Sequence, residues 1–236
     1  MSSAGLSRRD HLLRELMDDP NCDPVRLRRT LRRFALVNRL VAGWATVYRE
    51  YVRPHLATRE GVVRILDIGC GAGDVLRDIV ARARADGFSA TGLGIDPDER
   101  CLETARASRP MLGVEYRAAH SSDLIASVER FDIVLSNHVL HHLDESGVRG
   151  LLEDSAALTR GLALHSDIHR GRGAYAAYSA GITPLAPGSF LRTDGLRSIR
   201  RSFTTVELER IAPPGWRIDR PVAFRLLAVR DASDGH

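Results

Sequence analysis

"ILDIGCGAGD", residues 65–74, decides the fold. The β-branched, apolar run "VVRILDI" (62–68) that contains its start reads as a buried strand. Gly69, Gly71 and Gly73 follow at alternating positions, and "VLRDIVARARA" (75–85) then has the pattern of an amphipathic helix. Glycines permit positive φ and close approach of backbone to a ligand, and a helix start offers free N–H groups. A dinucleotide fits poorly. Its G-x-G-x-x-G loop would want glycine at 74, where Asp74 stands, and Asp67 with Asp74 would repel a pyrophosphate. A ligand with a positive or zwitterionic end suits this loop.

Strands and helices alternate from there. "ATGLGID" (90–96) is a second strand, and "PDERCLETARASR" (97–109) a helix opened by Pro97 and Asp98. "VEYRAA", "RFDIVLSN" and "GLALHSDIH" supply strands three to five, with "GVRGLLEDSAALT" a helix before the fifth. This alternation predicts an α/β domain around a mainly parallel sheet. "SFTTVELERIA" is a helix with a capping-type start, and "WRIDRPVAFRLLAV" reads as two strands around Pro221 with an antiparallel finish. Ahead of the sheet, residues 6–17 read as a short helix stopped by "DDPNCDP". Leu27, Leu31, Phe34, Val37, Val41, Trp44 and Tyr48 then make one apolar helical stripe. The domain plan is a helical segment over 1–60 and a ligand-binding domain over 61–236.

Asp96 ends the second strand, where an acid can accept both hydroxyls of a ribose. Nucleoside recognition beside a loop that disfavours phosphate points to S-adenosylmethionine (SAM). Residues 62 to 170, through "LDIGCGAGD", "GIDPD" and "FDIVLSNHVLHHL", resemble the class I SAM-dependent methyltransferases. The resemblance implies a Rossmann-like, seven-stranded, mainly parallel sheet with its last strand antiparallel. It implies that Gly69, Gly71 and Gly73 approach the amino-acid end of SAM with Asp67 nearby, that Asp96, followed by Pro97, binds the ribose, and that Asn137 sits beside the cofactor. Many relatives carry Gly-Asp-Ala after strand three; here "AHSSDL" puts His120 at the Asp position, with Ser121 next, as candidate adenine contacts. The tract "RRFALVNRLVAGWATVYREYVRP" resembles the leading helices of the quinone C-methyltransferase group, which implies a helical lid. "RGRGAYAAYSAGITPLAPGSF", within an insertion over about 171–201, offers an apolar wall for a substrate.

Methyl transfer to a phenol, whose pKa lies near 10, benefits from a base. Histidine suits that role, and two strand ends carry it. Strand four delivers His138, and strand five delivers His165, Asp167 and His169. His165 is expected inside the strand in a structural role. His138 and His169, with His142 near the loop ends, are the candidate catalytic histidines. His138, His141 and His142 also have metal-ligand spacing, but the expected reading is no metal, with His141 exposed at a helix start.

The remaining composition narrows the class. Of 236 residues, 44% are hydrophobic and 27% charged, as in soluble globular proteins. Net charge is +4 and all 34 basic residues are arginine, which looks like a GC-rich genome more than selection for phosphate. Residues 1–60 hold 12 arginines against 7 acids, so the basic excess is confined there. Three scattered cysteines form no disulfide or zinc pattern. No apolar run has membrane-spanning length and no signal core opens the chain, so a cytoplasmic location is expected. "SNHV" after strand four lacks the Asn/Asp-Pro-Pro-aromatic signature of base-modifying relatives, which disfavours nucleic acid. The expected activity is O-methylation of a phenolic, quinol or polyketide-derived small molecule in secondary metabolism. C-methylation of a quinol ring is the alternative, ahead of an RNA methyltransferase or a non-catalytic SAM binder. Monomer and homodimer both stay open.

Overall fold

The computed structural model describes residues 3–232, with backbone alone for residues 3, 4, 35 and 39–41. Seven strands form one sheet in the order β3-β2-β1-β4-β5-β7-β6. They are β1 (Val63–Ile68), β2 (Ala90–Asp96), β3 (Val114–Ala118), β4 (Phe131–Asn137), β5 (Thr159–Ile168), β6 (Arg217–Asp219) and β7 (Arg225–Asp231). β1 to β5 pair in parallel, and β7 runs against both β5 and β6. The expected Rossmann-like sheet with its reversed last strand is therefore present.

Side chains of the central strands alternate between two apolar layers, as period-two geometry requires. Ile65, Ile133, Leu135, Leu162, Leu164, Leu227 and Val229 pack with Val75, Leu76, Ile79 and Val80 of α4 (Asp74–Ala85). Leu66, Val134, Ala163, Leu226 and Ala228 pack instead with Val148, Leu151 and Leu152 of α7 (Glu145–Leu158) and with Leu208 and Ile211 of α10 (Thr205–Ile211). The remaining helices of the sheet connections are α5 (Glu99–Arg106) and α6 (Ser121–Ala126). Asp98 caps α5 by accepting from Arg100 N, and Thr204 and Glu207 form the expected capping box of α10.

The N-terminal region departs from its sequence pattern. Residues 7–22 have no regular helix, although residues 6–17 have helical periodicity. Their backbone groups are claimed elsewhere: Leu16 N and Met17 N donate to the Asp194 carboxylate, and Asp10 N donates to Arg200 O. Leu12, expected on the helix, is left 81% exposed. The long apolar stripe is also not one helix. α1 (Pro24–Val41) ends before Gly43, whose φ of 75° breaks the run. α2 (Trp44–Val47), a π-turn (Tyr48–Val52) and α3 (Arg53–Leu56) follow. The side chain of Val41 lies outside the described residues. Trp44, Val47, Tyr48, Val52 and Leu56 join the same layer as α4, so this later part of the helical region builds the core of the sheet.

α1 instead covers the edge formed by the C-terminal ends of the strands. Leu27 and Leu31 meet Ala72 of the glycine loop and Cys101 of α5, and Phe34 and Val37 meet Ile182 and Leu191 of the later helices. Those helices are α8 (Arg172–Gly181) and α9 (Leu191–Arg201). No helix among the described residues is long and apolar enough to cross a membrane.

One buried ion pair ties the second half together. Arg170, buried after β5, is gripped at both terminal nitrogens by Glu207 at 2.8 and 2.6 Å. Glu207→Ala strands that cation, so we expect a loss of about 3 kcal/mol of stability. A urea-unfolding midpoint unchanged from wild type would contradict this.

Candidate functional site

The glycine loop sits where the strand-turn-helix pattern put it. Gly69 N and Cys70 N both donate to Ile95 O at 2.8 and 3.0 Å, which lashes the loop to β2. A Cβ on Gly69 would lie 2.6 Å from Val139, and one on Gly73 would lie 2.4 Å from the Tyr116 ring. Those two glycines answer to protein neighbours. A Cβ on Gly71 would meet nothing within 4 Å, so Gly71 marks the loop's open side. Asp67 lies beneath, 1% exposed, with Oδ1 lacking a partner and its carboxyl pushed well up by burial and by Asp74 and Asp96. Asp96 stands at the tip of β2, where its two oxygens accept from Gly71 N at 3.0 Å and Asp98 N at 2.9 Å. A carboxylate oxygen has two lone pairs, so each keeps one for a ligand hydroxyl.

A polar chain connects this loop to the exit of β4. Asp74 accepts from Asn38 of α1 at 3.0 Å, Asn38 accepts from Asn137 at 3.4 Å, and Asn137 accepts from Trp44 Nε1 at 3.1 Å. Asn137 also accepts from Arg225 of β7 at 2.7 Å. His138 follows in the left-handed region at φ 63°, and its Nε2 takes a hydrogen bond from Arg225 Nη1 at 2.9 Å. Nε2 is therefore the acceptor and the ring is neutral. Burial, then the Arg225 cation, hold its pKa well below the ordinary value. The Phe34 ring lies 6.5 Å from the His138 ring.

His141 overturns its sequence reading. Expected exposed at a helix start, it is 1% exposed in a short 3-10 turn (Leu140–His142), and α7 begins later, capped by Asp144. The cause is the neighbouring strand: Asp167 Oδ1 lies 2.8 Å from His141 Nδ1, and Asp167 Oδ2 accepts from His141 N at 2.9 Å. Glu15 of the N-terminal segment approaches Nε2 at 3.2 Å. Burial would lower this imidazole's pKa, but the two carboxylates win and push it up to about 9. Burial would raise Asp167, but the His141 imidazolium holds it below the usual carboxylate range.

The other candidates are spread out. His142 is exposed, with Nδ1 3.4 Å from Asp18 and Nε2 3.9 Å from Glu15. His165 is buried inside β5, bonded to Ser136 at 2.7 Å and packed on Trp216, with burial lowering its pKa to about 3. His169 lies past β5; its backbone N donates to Phe224 O, and its ring makes no hydrogen bond among the described residues. Burial, then Arg220 and Arg170, lower its pKa. His120 is exposed and precedes α6, with its N–H donating to Asp123. The Ser121 hydroxyl is taken by Asp154 at 2.5 Å. Two groups bring potential metal-ligand atoms within 4.8 Å of one another: Glu15, His141 and His142, and His138, His141 and Asp167. His141 is common to both, and its charged form, protonated at both nitrogens, has no lone pair for a metal.

An N-terminal strap lies over the site. Met17, Leu16 and Cys22 pack on Ala72 and Cys101, directly above the glycine loop and the start of α5. Arg100 reaches Asp19 O and Pro20 O, Arg201 reaches His141 O and His142 O, and Asp194 holds two strap N–H groups. Burial pushes the Asp194 carboxyl up to about 6. Glu15, Asp194, Arg201 and Arg225 carried no local motif. Their roles come from contacts across 60 to 190 positions, and only a charged residue in an apolar context, as in "AFRLLAV", hinted at one of them.

A model described as "Methyltransferase domain" matches residues 65–161. A ubiquinone biosynthesis O-methyltransferase of Cereibacter sphaeroides is 40% identical over 83 residues, which is 34% of this chain and 31% of that relative. One of Bradyrhizobium diazoefficiens is 35% identical over 114 residues, covering 47% and 42%. The chain thus spans well under half the length of these curated relatives. Among solved structures, the plantazolicin methyltransferase BpumL with a monoazolic desmethylPZN analog and SAH has a TM-score of 0.63 at 16% identity, over 91% of each chain. Human N-acetylserotonin methyltransferase in complex with SAM gives 0.60 at 12%, over 87% of this chain and 55% of its own. At such identities the likeness is one of fold.

The His141 ion cluster has a testable sign. A raised imidazole pKa gives stability that is complete below the unfolded value of 6.5 and is lost as pH climbs through about 9. His141→Gln should therefore cost more stability at pH 6 than at pH 10 in denaturant titrations. A pH-independent difference would contradict the buried imidazolium.

Proposed function

From the premise that the chain belongs to the class I SAM-dependent methyltransferases, we propose that it is an O-methyltransferase of a phenolic or quinol small molecule. The carrying observation is the open face of Gly71 directly against the Asp96 carboxylate, with the β4 exit alongside. When bound there, SAM supplies an electrophilic methyl group. Asp96 would accept the ribose hydroxyls, with Pro97 fixing its turn. The loop from Gly69 to Gly73 would lie along the amino-acid end, where the unpartnered Asp67 oxygen favours an ammonium. Asn137, fixed by Trp44, Asn38 and Arg225, would stand next to the transfer point. His120 and Ser121 would border the adenine through their backbone, since the Ser121 hydroxyl is engaged and His120 opens to solvent.

The acceptor would lie between α1 and the exits of β4 and β5, beside Phe34, Trp44 and His138. Methyl transfer in line with a sulfonium needs alignment and exclusion of water more than covalent help. The strap and α1 supply the cover. The curated relatives are ubiquinone biosynthesis O-methyltransferases, which fits a quinol acceptor.

Asp96→Ala should weaken SAM binding at least about tenfold, measured by calorimetry, because a carboxylate to two hydroxyls is a charge-assisted contact. Product mass spectrometry on alkylresorcinols and quinols should show a 14-mass-unit gain in the wild type, a shift set by CH₂ and read as ether or ring methylation by fragmentation. Unchanged affinity in the variant, or no methylated product from any phenol, would contradict the reading.

A further inference from the structure

We propose that Arg225 receives an ionised oxygen of the acceptor, so that the substrate is bound and methylated as its phenolate. This rests on the methyltransferase reading and names the charge state of the substrate it acts on.

Arg225 is a buried guanidinium without a carboxylate in hydrogen-bond contact. Its partners are His138 Nε2 at 2.9 Å, Asn137 Oδ1 at 2.7 Å and Ser166 Oγ at 2.9 Å, all neutral. Its Nε is buried and unpartnered. The other buried arginines differ. Arg170 is held by Glu207 at both terminal nitrogens, and Arg201 lies 3.3 Å from Asp18. The acid nearest in charge to Arg225 is Asp167, but its oxygens are taken by the His141 ring, His141 N and Ile168 N. A cation buried among neutral dipoles is costly unless something anionic joins it.

The position is suited to a ligand. Arg225 opens β7 opposite Ile168, at the C-terminal end of β5, and its fork spans Asn137 and His138 at the end of β4. Ligands of open α/β sheets bind at that edge. Phe34 and Trp44 flank the same two residues with aromatic surface. His138 is poorly placed as a base, because the lone pair of Nε2 already points at a cation. The oxyanion is better served by a fixed positive group than by proton transfer.

The chemistry balances. A phenol docking at Arg225 releases its proton to solvent. The phenolate oxygen attacks the sulfonium methyl carbon, the C–O bond forms, and the C–S bond breaks with its electron pair going to sulfur. Phenolate and sulfonium charges cancel, giving a neutral aryl methyl ether and S-adenosylhomocysteine (SAH). The ether has no charge for Arg225, which favours its release.

4-Nitrophenol tests this directly, because only its anion is yellow. Titrated into SAH-loaded wild-type protein at a pH about one unit below its free pKa, it should develop the phenolate band, its ionisation shifted by a unit or more as beside a close cation. Arg225→Met should lose that shift while holding SAH within about threefold by calorimetry; Arg225→Lys should keep part of it. A phenolate band equal in wild type and Arg225→Met overturns the proposal, and so does a wild-type phenolate fraction no larger than that of free 4-nitrophenol at the same pH. If Arg225→Met does not fold, the neutral Arg225→Gln takes its place, and a phenolate shift in it equal to that of the wild type overturns the proposal. Failure of the wild type to bind SAH would instead sink the methyltransferase reading itself.

Discussion

A charged imidazole out of water holds the working edge of this protein together. His141 is fully enclosed, and a buried charge survives only with opposite charge and hydrogen bonds around it. Asp167 on β5 provides both, and Glu15 on the strap adds a second carboxylate. The cluster thereby joins the exits of β4 and β5, where methyl acceptor and donor would meet, to a segment more than a hundred residues earlier in the chain. His138 and Asn137 are positioned by the same stretch of backbone. Arg225 extends the alternation of charge from Asp167 toward the acceptor side.

Arginine is the material of the cover. The basic N-terminal region invites a nucleic-acid reading, yet several of its guanidinium groups bridge to carbonyl oxygens of the same chain. Arg33 spans Leu185 O and Pro187 O, Arg26 reaches Ser189 O, and Arg9 reaches Arg201 O and His141 O. A planar fork with five donors suits such bridging of loops without regular structure. Residues 7–22 remain irregular because α9 takes the polar groups that a helix would satisfy internally: Asp194 accepts from Leu16 N and Met17 N, Arg200 O from Asp10 N, and Arg197 donates to Arg14 O.

The sheet was legible because its signals are local. Runs such as "VVRILDI" and "RFDIVLSN", a glycine turn and an Asp cap each act within a few residues, and the structure follows them closely. Asp96 at a strand tip and His165 within a strand were readable for the same reason. The burial of His141 was not, because its partners are Asp167 and Glu15, brought close only by the tertiary fold. The spacing of three histidines offered a metal or a helix start and gave no hint of an ion cluster. Arg225 hid inside an apolar strand, where a lone charge resembles an edge residue.

The strap, the glycine loop and the β4 exit would enclose one cofactor site. Hydrogen exchange of the full chain with and without SAH measures this most directly. Slowed exchange is expected together in residues 66–74, 94–100 and 137–142 and in strap residues 14–22. SAH binding that leaves the loop and the strap unprotected, or protects residues elsewhere, would contradict it.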